Sequence, residues 1–147
     1  INGYVYVRRI CEESKITDKE IYSKWSPYPG IIVKTTLLPN AEGHIRTHEI
    51  ISNLECTAYD CGFAVNRGDK RLVDYKDTTR EHEARSENRE SFCQVTCLKG
   101  EGSGQVIYAD ANTNLLHPKT AIPAIMYQIK PGEQTIETRV EAEWNAT

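Results

Sequence analysis

The segment Gln134–Trp144 restricts the fold of this chain more than any other part of its sequence. Over these eleven residues, mainly apolar side chains alternate with charged or polar ones. A period of two is typical of an antiparallel strand that buries one face and exposes the other. The sequence therefore predicts a half-buried strand, whose buried face carries Ile136, Thr138, Val140, Ala142 and Trp144.

Further strand-like segments fill most of the chain, and proline- and glycine-rich turns separate them. A strand at 124–129 comes just before the alternating segment. Because Pro131-Gly132 has turn chemistry, the two strands are predicted to form a hairpin. The other predicted strands are 3–9, 31–38, 44–51, 54–59, 91–98 and 105–109, with breaks at 27–30, 39–43 and 100–104.

Two segments do not have a simple strand pattern. Capping-box spacing from Thr17 to Glu20 predicts one helical turn. The charge-rich segment 66–88 is predicted to be an exposed loop or a solvated edge hairpin. Together the patterns predict an all-β fold, an antiparallel β-sandwich with long loops, in one domain over residues 1–147.

Composition excludes several classes of function. Of the 147 residues, 39% are hydrophobic and 27% charged, which is typical of a globular domain. The net charge is −3 and the two signs are interspersed, so the one-sided basic surface that nucleic-acid binding needs is missing. No apolar run approaches the roughly 20 residues that span a bilayer. Neither a nucleic acid nor a membrane is therefore an expected partner.

The cysteines leave the cellular location open. Their odd number, five, argues against a fully paired secreted framework and favours an intracellular protein. The terminal sequon Asn145-Ala146-Thr147 leaves secretion open. Cys56 and Cys61 could bridge across a tight turn, although reduced thiols are the favoured alternative. The chain begins without Met and without a signal segment, which is the pattern of a fragment or a processed product.

The most unusual local sequence is His44-Ile45-Arg46-Thr47-His48. On a strand, His44, Arg46 and His48 point the same way. One interpretation is an internally paired or exposed polar face. A second is contact with an anion, a sugar acid or another domain, because an arginine fork matches a carboxylate. A metal site is disfavoured because Arg46 would repel the cation. We therefore predict no metal and no other cofactor.

Two further segments could contact a glycan. In the loop 110–120, the side chains of Asn112, Asn114 and His117 could bond sugar hydroxyls, although bracing of the loop itself is the favoured interpretation. Trp25 lies in an aromatic and proline-rich segment and could stack on a sugar ring. Anchoring of a core edge is again the favoured alternative.

Several blocks of the sequence, taken in order, resemble domain-of-unknown-function family 2264 and span about residues 22–132. The chain departs from that pattern in its cysteines and in a charged insertion around residues 70–89. The blocks are 24–30, 35–39, 44–50, 62–64 and 112–120, followed by Ile122-Pro123.

This resemblance implies a C-terminal β-sandwich that follows a large N-terminal (α/α) toroid in enzymes acting on polysaccharides. Members are grouped with glycoside hydrolases that act on β-linked glucuronic acid. We therefore expect an accessory domain that packs on the toroid of the same protein and adds His44, Arg46, His48 or the 112–117 loop to the rim of an active site. A free-standing carbohydrate-binding module and a self-assembling structural protein are the alternatives, with an oligosaccharide or a second copy as the respective partner.

Overall fold

A computed structural model of the protein describes residues 10–66, 75–108 and 120–144. These residues form two antiparallel sheets, so the predicted all-β fold is confirmed. They include no helix that could cross a bilayer. The strands are β1 (Ile10–Ile16), β2 (Ile21–Tyr28), β3 (Ile31–Pro39), β4 (Gly43–Ser52), β5 (Cys56–Cys61), β6 (Val65–Asn66), β7 (Lys76–Arg80), β8 (Glu83–Glu87), β9 (Ser91–Lys99), β10 (Gly102–Tyr108), β11 (Thr120–Ile129) and β12 (Gly132–Trp144).

The two sheets differ in width. Sheet A has the order β1-β2-β3-β4-β12-β9-β8-β7, and sheet B has the order β10-β11-β5, with β6 pairing to β11. Sheet B packs mainly on β7, β8 and β9. The core lies between the layers and includes Val95, Val140, Ile125 and Tyr127, all almost fully buried.

Strand β12 is the central element of sheet A, paired with β4 on one side and β9 on the other. The predicted buried face is confirmed at Ile136, Thr138 and Val140, which are almost fully removed from solvent, and Ala142 is partly buried. In antiparallel pairing, directly opposed residues share a face. Thr138 opposes Arg46, so the inner face of β12 continues into β4.

The predicted hairpin of the last two strands is wrong. Strand β11 belongs to sheet B, where β10 and β5 use both of its edges, and β12 belongs to sheet A. The face of β11 that carries Ile125, Tyr127 and Ile129 is buried, and Ala124 on the other face is buried as well. The chain changes layer at Gly132, whose φ of 116° lies in a region that suits glycine.

Two other sequence expectations are wrong, and a third holds with one change. Thr17 does not begin a helical turn, because it closes the β1–β2 hairpin by bonding the backbone of Glu20. The glycine-rich stretch after Gly100 was predicted to be a break, but Gly102 to Gly104 open β10. Residues 75–88 were predicted to be an exposed loop or an edge hairpin, and strands β7 and β8 form that hairpin. The hairpin is not wholly solvated, because Ala84 of β8 is fully buried. The predicted strand 3–9 lies outside the described residues.

Strands β1, β2 and β3 form one side of sheet A, which we call the wing. Its inner face is the one that β3 shares with His44, Arg46 and His48 of β4. Toward Tyr28 this face joins the core through Ile31 and Val33, both buried. Toward the β1–β2 turn it opens to solvent, since Ile16 is 80% exposed and Ile21 is 42% exposed.

Candidate functional site

The three polar side chains of β4 do share one face, as predicted, and that face meets a carboxylate from the opposite sheet. Arg46 Nη1 donates to Asp60 Oδ1 at 2.7 Å, and His48 Nε2 lies 3.1 Å from Asp60 Oδ2. Asp60 lies on β5 and its side chain is only 7% exposed, whereas that of Arg46 is 18% exposed. The pair therefore joins sheet A to sheet B in a largely dry setting.

Asp60 is held as a carboxylate despite its burial. Burial alone would raise its pKa, but the hydrogen bond and charge of His48, the charge of Arg46 and the hydroxyl of Thr138 lower the pKa overall. Since the folded state lowers this pKa, the ion pair stabilises the fold above the ordinary value of 3.8. That stability is lost as the pH falls through the lower value of the folded state.

Both ring nitrogens of His48 have partners inside the domain. A carboxylate can only accept, so His48 Nε2 donates to Asp60. His48 Nδ1 lies 2.7 Å from Thr35 Oγ1, which accepts a hydrogen bond from indole Nε1 of Trp25 at 2.9 Å. The ring of His48 therefore connects Thr35 and Trp25 to the buried carboxylate.

The ring of His44 is neutral. Its Nε2 accepts a hydrogen bond from Arg46 Nε at 2.8 Å, so the ring proton sits on Nδ1. Burial, and then the neighbouring charge of Arg46, lower the pKa of His44 below its ordinary 6.5. The ring of Phe63 packs edge-on against it, with centroids 5.9 Å apart.

A second arm of hydrogen bonds reaches sheet B. Tyr127 Oη of β11 lies 2.8 Å from Thr138 Oγ1 of β12, and Thr138 is fully buried. Burial raises the pKa of Tyr127, so its hydroxyl stays protonated. We call the connected set the Asp60 network; its members are Trp25, Thr35, His44, Arg46, His48, Asp60, Tyr127 and Thr138.

Chemically, the Asp60 network is an internal ion pair supported by hydrogen bonds from neighbouring side chains. The guanidinium of Arg46 and the ring of His48 both bind the same protein carboxylate. Of the interpretations of this segment, the geometry favours the internally paired polar face. The predicted contact of His44, Arg46 and His48 with a substrate anion is untested and stays a prediction. Among the described residues, no group of His, Cys, Asp and Glu could hold a metal ion.

Sequence reasoning overlooked Asp60, although a signal was present. On β5 the residues Cys56, Ala58 and Asp60 share the inner face, so a single carboxylate interrupts an otherwise apolar stripe. A lone acid on such a face needs a buried partner. The cationic face of β4 was the obvious candidate.

Comparison with known proteins identifies the family. The sequence profile of the DUF2264 C-terminal domain matches residues 3–142. The chain belongs to this family. The proposed resemblance is thereby confirmed. No curated protein sequence is significantly similar to this domain.

Solved structures share the fold of this DUF2264 C-terminal domain at low identity. Heparan sulfate lyase HepC from Pedobacter heparinus aligns with a TM-score of 0.60 and 9% identity, over 95% of this chain and 22% of that one. A heparinase III aligns with a TM-score of 0.54 and 7% identity, over 93% of this chain and 22% of that one. A protein from Escherichia coli K12 is provisionally described as an aldose 1-epimerase. It aligns with a TM-score of 0.52 and 10% identity, over 94% of this chain and 69% of that one. At such identities the likeness shows the fold alone, and this chain spans about a fifth of the heparan sulfate lyase and of the heparinase III.

The other predicted site residues are not all placed. Trp25 is partly buried, packs against the core and donates its indole N–H to Thr35. The core-edge anchor is therefore the better-supported role for this ring. Asn112, Asn114 and His117 lie outside the described residues. Their predicted contact with a glycan is untested.

Neutral His44 gives the domain a pH dependence of known sign. Because folding lowers the pKa of His44, its contribution is present above pH 6.5 and is lost as the pH falls from 6.5 toward the folded value. We expect the free energy of unfolding, measured by urea titration, to fall from pH 7 to pH 5 by at most about 1.4 kcal/mol per pH unit for this one proton. The variant His44→Asn keeps an acceptor for Arg46 and should flatten the slope.

The control for this titration is Thr57→Ala, at an exposed position without an ionisable side chain. This variant should keep the slope of the unsubstituted protein. An unchanged slope in His44→Asn would show that His44 does not titrate on unfolding in this range.

Proposed function

We propose that this domain is the accessory β-sandwich of a polysaccharide-active enzyme, in which the catalytic groups lie chiefly in a preceding domain. One observation carries the proposal. The same fold, matched over 93–95% of this chain, occurs as 22% of the length of a heparan sulfate lyase and of a heparinase III. A family described as a C-terminal domain fits the same arrangement.

The Asp60 network supports an accessory role. A catalytic acid or base must reach a proton of the substrate, within a hydrogen-bond distance. Asp60 and His48 direct their polar atoms at other side chains of the domain, His44 Nε2 accepts a hydrogen bond from Arg46, and Asp60 is almost wholly buried. These groups suit a rigid support better than proton transfer to a glycan.

The substrate class is the finer part of the proposal. Heparan sulfate, named for one of the similar proteins, is an anionic polysaccharide. The family resemblance independently implies a uronic-acid-containing glycan and hydrolysis. We propose an anionic glycan as the substrate, with rim contacts from the 112–117 loop or from the partly exposed side of Arg46.

The test compares two samples, the isolated chain and the full-length polypeptide that carries it. Each is incubated with heparan sulfate, with an unsulfated uronic-acid glycan and with a neutral glycan as the control. New reducing ends report any cleavage, and ultraviolet absorbance of an unsaturated product reports elimination as distinct from hydrolysis. We expect cleavage of an anionic glycan by the full-length protein and none by the isolated chain.

Two results would contradict this function. Cleavage by the isolated chain would make the domain itself catalytic. A full-length protein that cleaves none of the three glycans would remove the assignment to polysaccharide chemistry.

A further inference from the structure

An apolar row crosses the wing at the end where sheet A is open to solvent. The backbone register places Ile16 opposite Ile21, and Ile21 opposite Leu37. Directly opposed residues share a face, so the three aliphatic side chains stand together on the inner face. The row ends at Arg46, which opposes Leu37 on β4. An apolar strip thus adjoins the Asp60 network.

The turn beside this row is well formed, so the exposure of the isoleucines is a property of the folded hairpin. Thr17 N donates to Glu20 O at 2.9 Å, and Thr17 Oγ1 accepts from the backbone N–H groups of Lys19 and Glu20. These bonds fix Ile16 and Ile21 at the two strand ends that flank the turn. The hairpin therefore presents two large apolar side chains to solvent in a defined geometry.

The chemistry of the row points to a protein partner rather than a glycan. Sugar rings stack on aromatic faces, whereas Ile16, Ile21 and Leu37 are aliphatic. Exposed apolar patches on a soluble domain commonly mark surfaces that another protein covers. The small hydroxyl residues Ser14, Ser23 and Thr35 form the next row and leave room for a close approach.

The position of the wing identifies the partner. Among the described residues β1 is an edge strand of sheet A and the first strand in the chain. A domain that precedes this one would connect to β1 through residues 1–9, which lie outside the described residues. In the two similar lyases about four-fifths of the chain lies outside the matched part.

From these observations we infer that the inner face of the wing, centred on Ile16, Ile21 and Leu37, is the surface on which the preceding domain of the same polypeptide packs. This inference rests on the proposed function, because that function supplies the preceding domain. Packing there would also cover the exposed side of Arg46 and so place the rim contacts at the junction of the two domains.

The chain offers a closely matched control, Ile51. Ile51 and Ile21 are the same residue type and each is 42% exposed. Ile51 opposes Ile32 and Glu133, so it lies on the outer face of the same sheet. Single variants Ile21→Cys and Ile51→Cys therefore differ in the face they report and in little else.

The experiment measures how fast a maleimide labels each introduced thiol, resolved by peptide mass spectrometry so that native cysteines do not interfere. Labelling is run on the isolated chain and on the full-length polypeptide. We expect Ile21→Cys to be labelled at least about tenfold more slowly in the full-length protein, because labelling then requires the interface to open. Ile51→Cys should react at the same rate in both.

Three outcomes overturn the inference. Equal rates for Ile21→Cys in both samples would show that the wing is open in the full-length protein. Slowing at Ile51→Cys alone would move the interface to the outer face. If the labelling rate of Ile21→Cys falls in the isolated chain as its concentration rises, a second copy of the chain covers the surface. Glycan cleavage is assayed separately, so an open wing in an active enzyme is distinguished from failure of the proposed function.

Discussion

Replacement of Asp60 by alanine is expected to destabilise the domain by about 3–5 kcal/mol, which is the cost of leaving a buried charge without its partner. The guanidinium of Arg46 would then face the core with only His44 as a hydrogen-bond partner from the network. His48 and Thr138 would lose their acceptor as well. The free energy of unfolding from urea titration, compared with that of the unsubstituted protein, measures the loss.

Two controls separate the buried charge from other effects of the substitution. Glu141→Ala removes the carboxylate that pairs with Arg139 on the outer face of sheet A. Because Arg139 is substantially exposed, we expect the free energy of unfolding to change by less than about 1 kcal/mol. The double variant Asp60→Ala with Arg46→Met should recover much of the stability, since it removes both charges. If Asp60→Ala costs no more than Glu141→Ala, the Asp60 network does not hold the sheets together.

Gly104→Ala is expected to have the second large effect, a loss of at least about 3 kcal/mol from overpacking that the backbone cannot relieve. A Cβ at this position would collide with the backbone carbonyl of Glu83 and would lie 2.7 Å from the carbonyl oxygen of Arg80. These carbonyls belong to the β7–β8 hairpin, so sheet B could not keep its distance from sheet A.

Thermal and urea unfolding of Gly104→Ala measure this effect, and Ser103→Ala is the control on the neighbouring residue of the same strand. Ser103 lies on the other face of β10, where a smaller side chain is tolerated. We expect Ser103→Ala to unfold close to the unsubstituted protein. Similar stability of both variants would mean that the close approach at Gly104 is not required.

Periodicity predicted the elements whose two faces meet different surroundings. Strand β12 alternates because one face meets the core and the other meets solvent, and its buried face is as predicted. The shared direction of His44, Arg46 and His48 followed from the same rule. Strand β11 is apolar on both faces, although only the face with Ile125 and Tyr127 is buried throughout. Its apolar run therefore did not indicate which sheet the strand joins, and the hairpin prediction failed there.

The partner of Arg46 could not be read from local pattern. Asp60 is fourteen residues away in the chain and reaches Arg46 only because sheet B folds over sheet A. Residue types at β4 left two main interpretations open, an internally paired or exposed polar face and contact with an external anion. That choice depends on which strand lies opposite, and the strand order of the two layers is a tertiary property.

The most direct test of the account is a structure of the full-length polypeptide with a bound anionic oligosaccharide. The account predicts that the preceding domain covers Ile16 and Ile21, that most contacts with the reacting sugar come from that domain, and that Arg46 still pairs with Asp60. An oligosaccharide held wholly by this domain, with Arg46 detached from Asp60 and bound to the glycan, would contradict it.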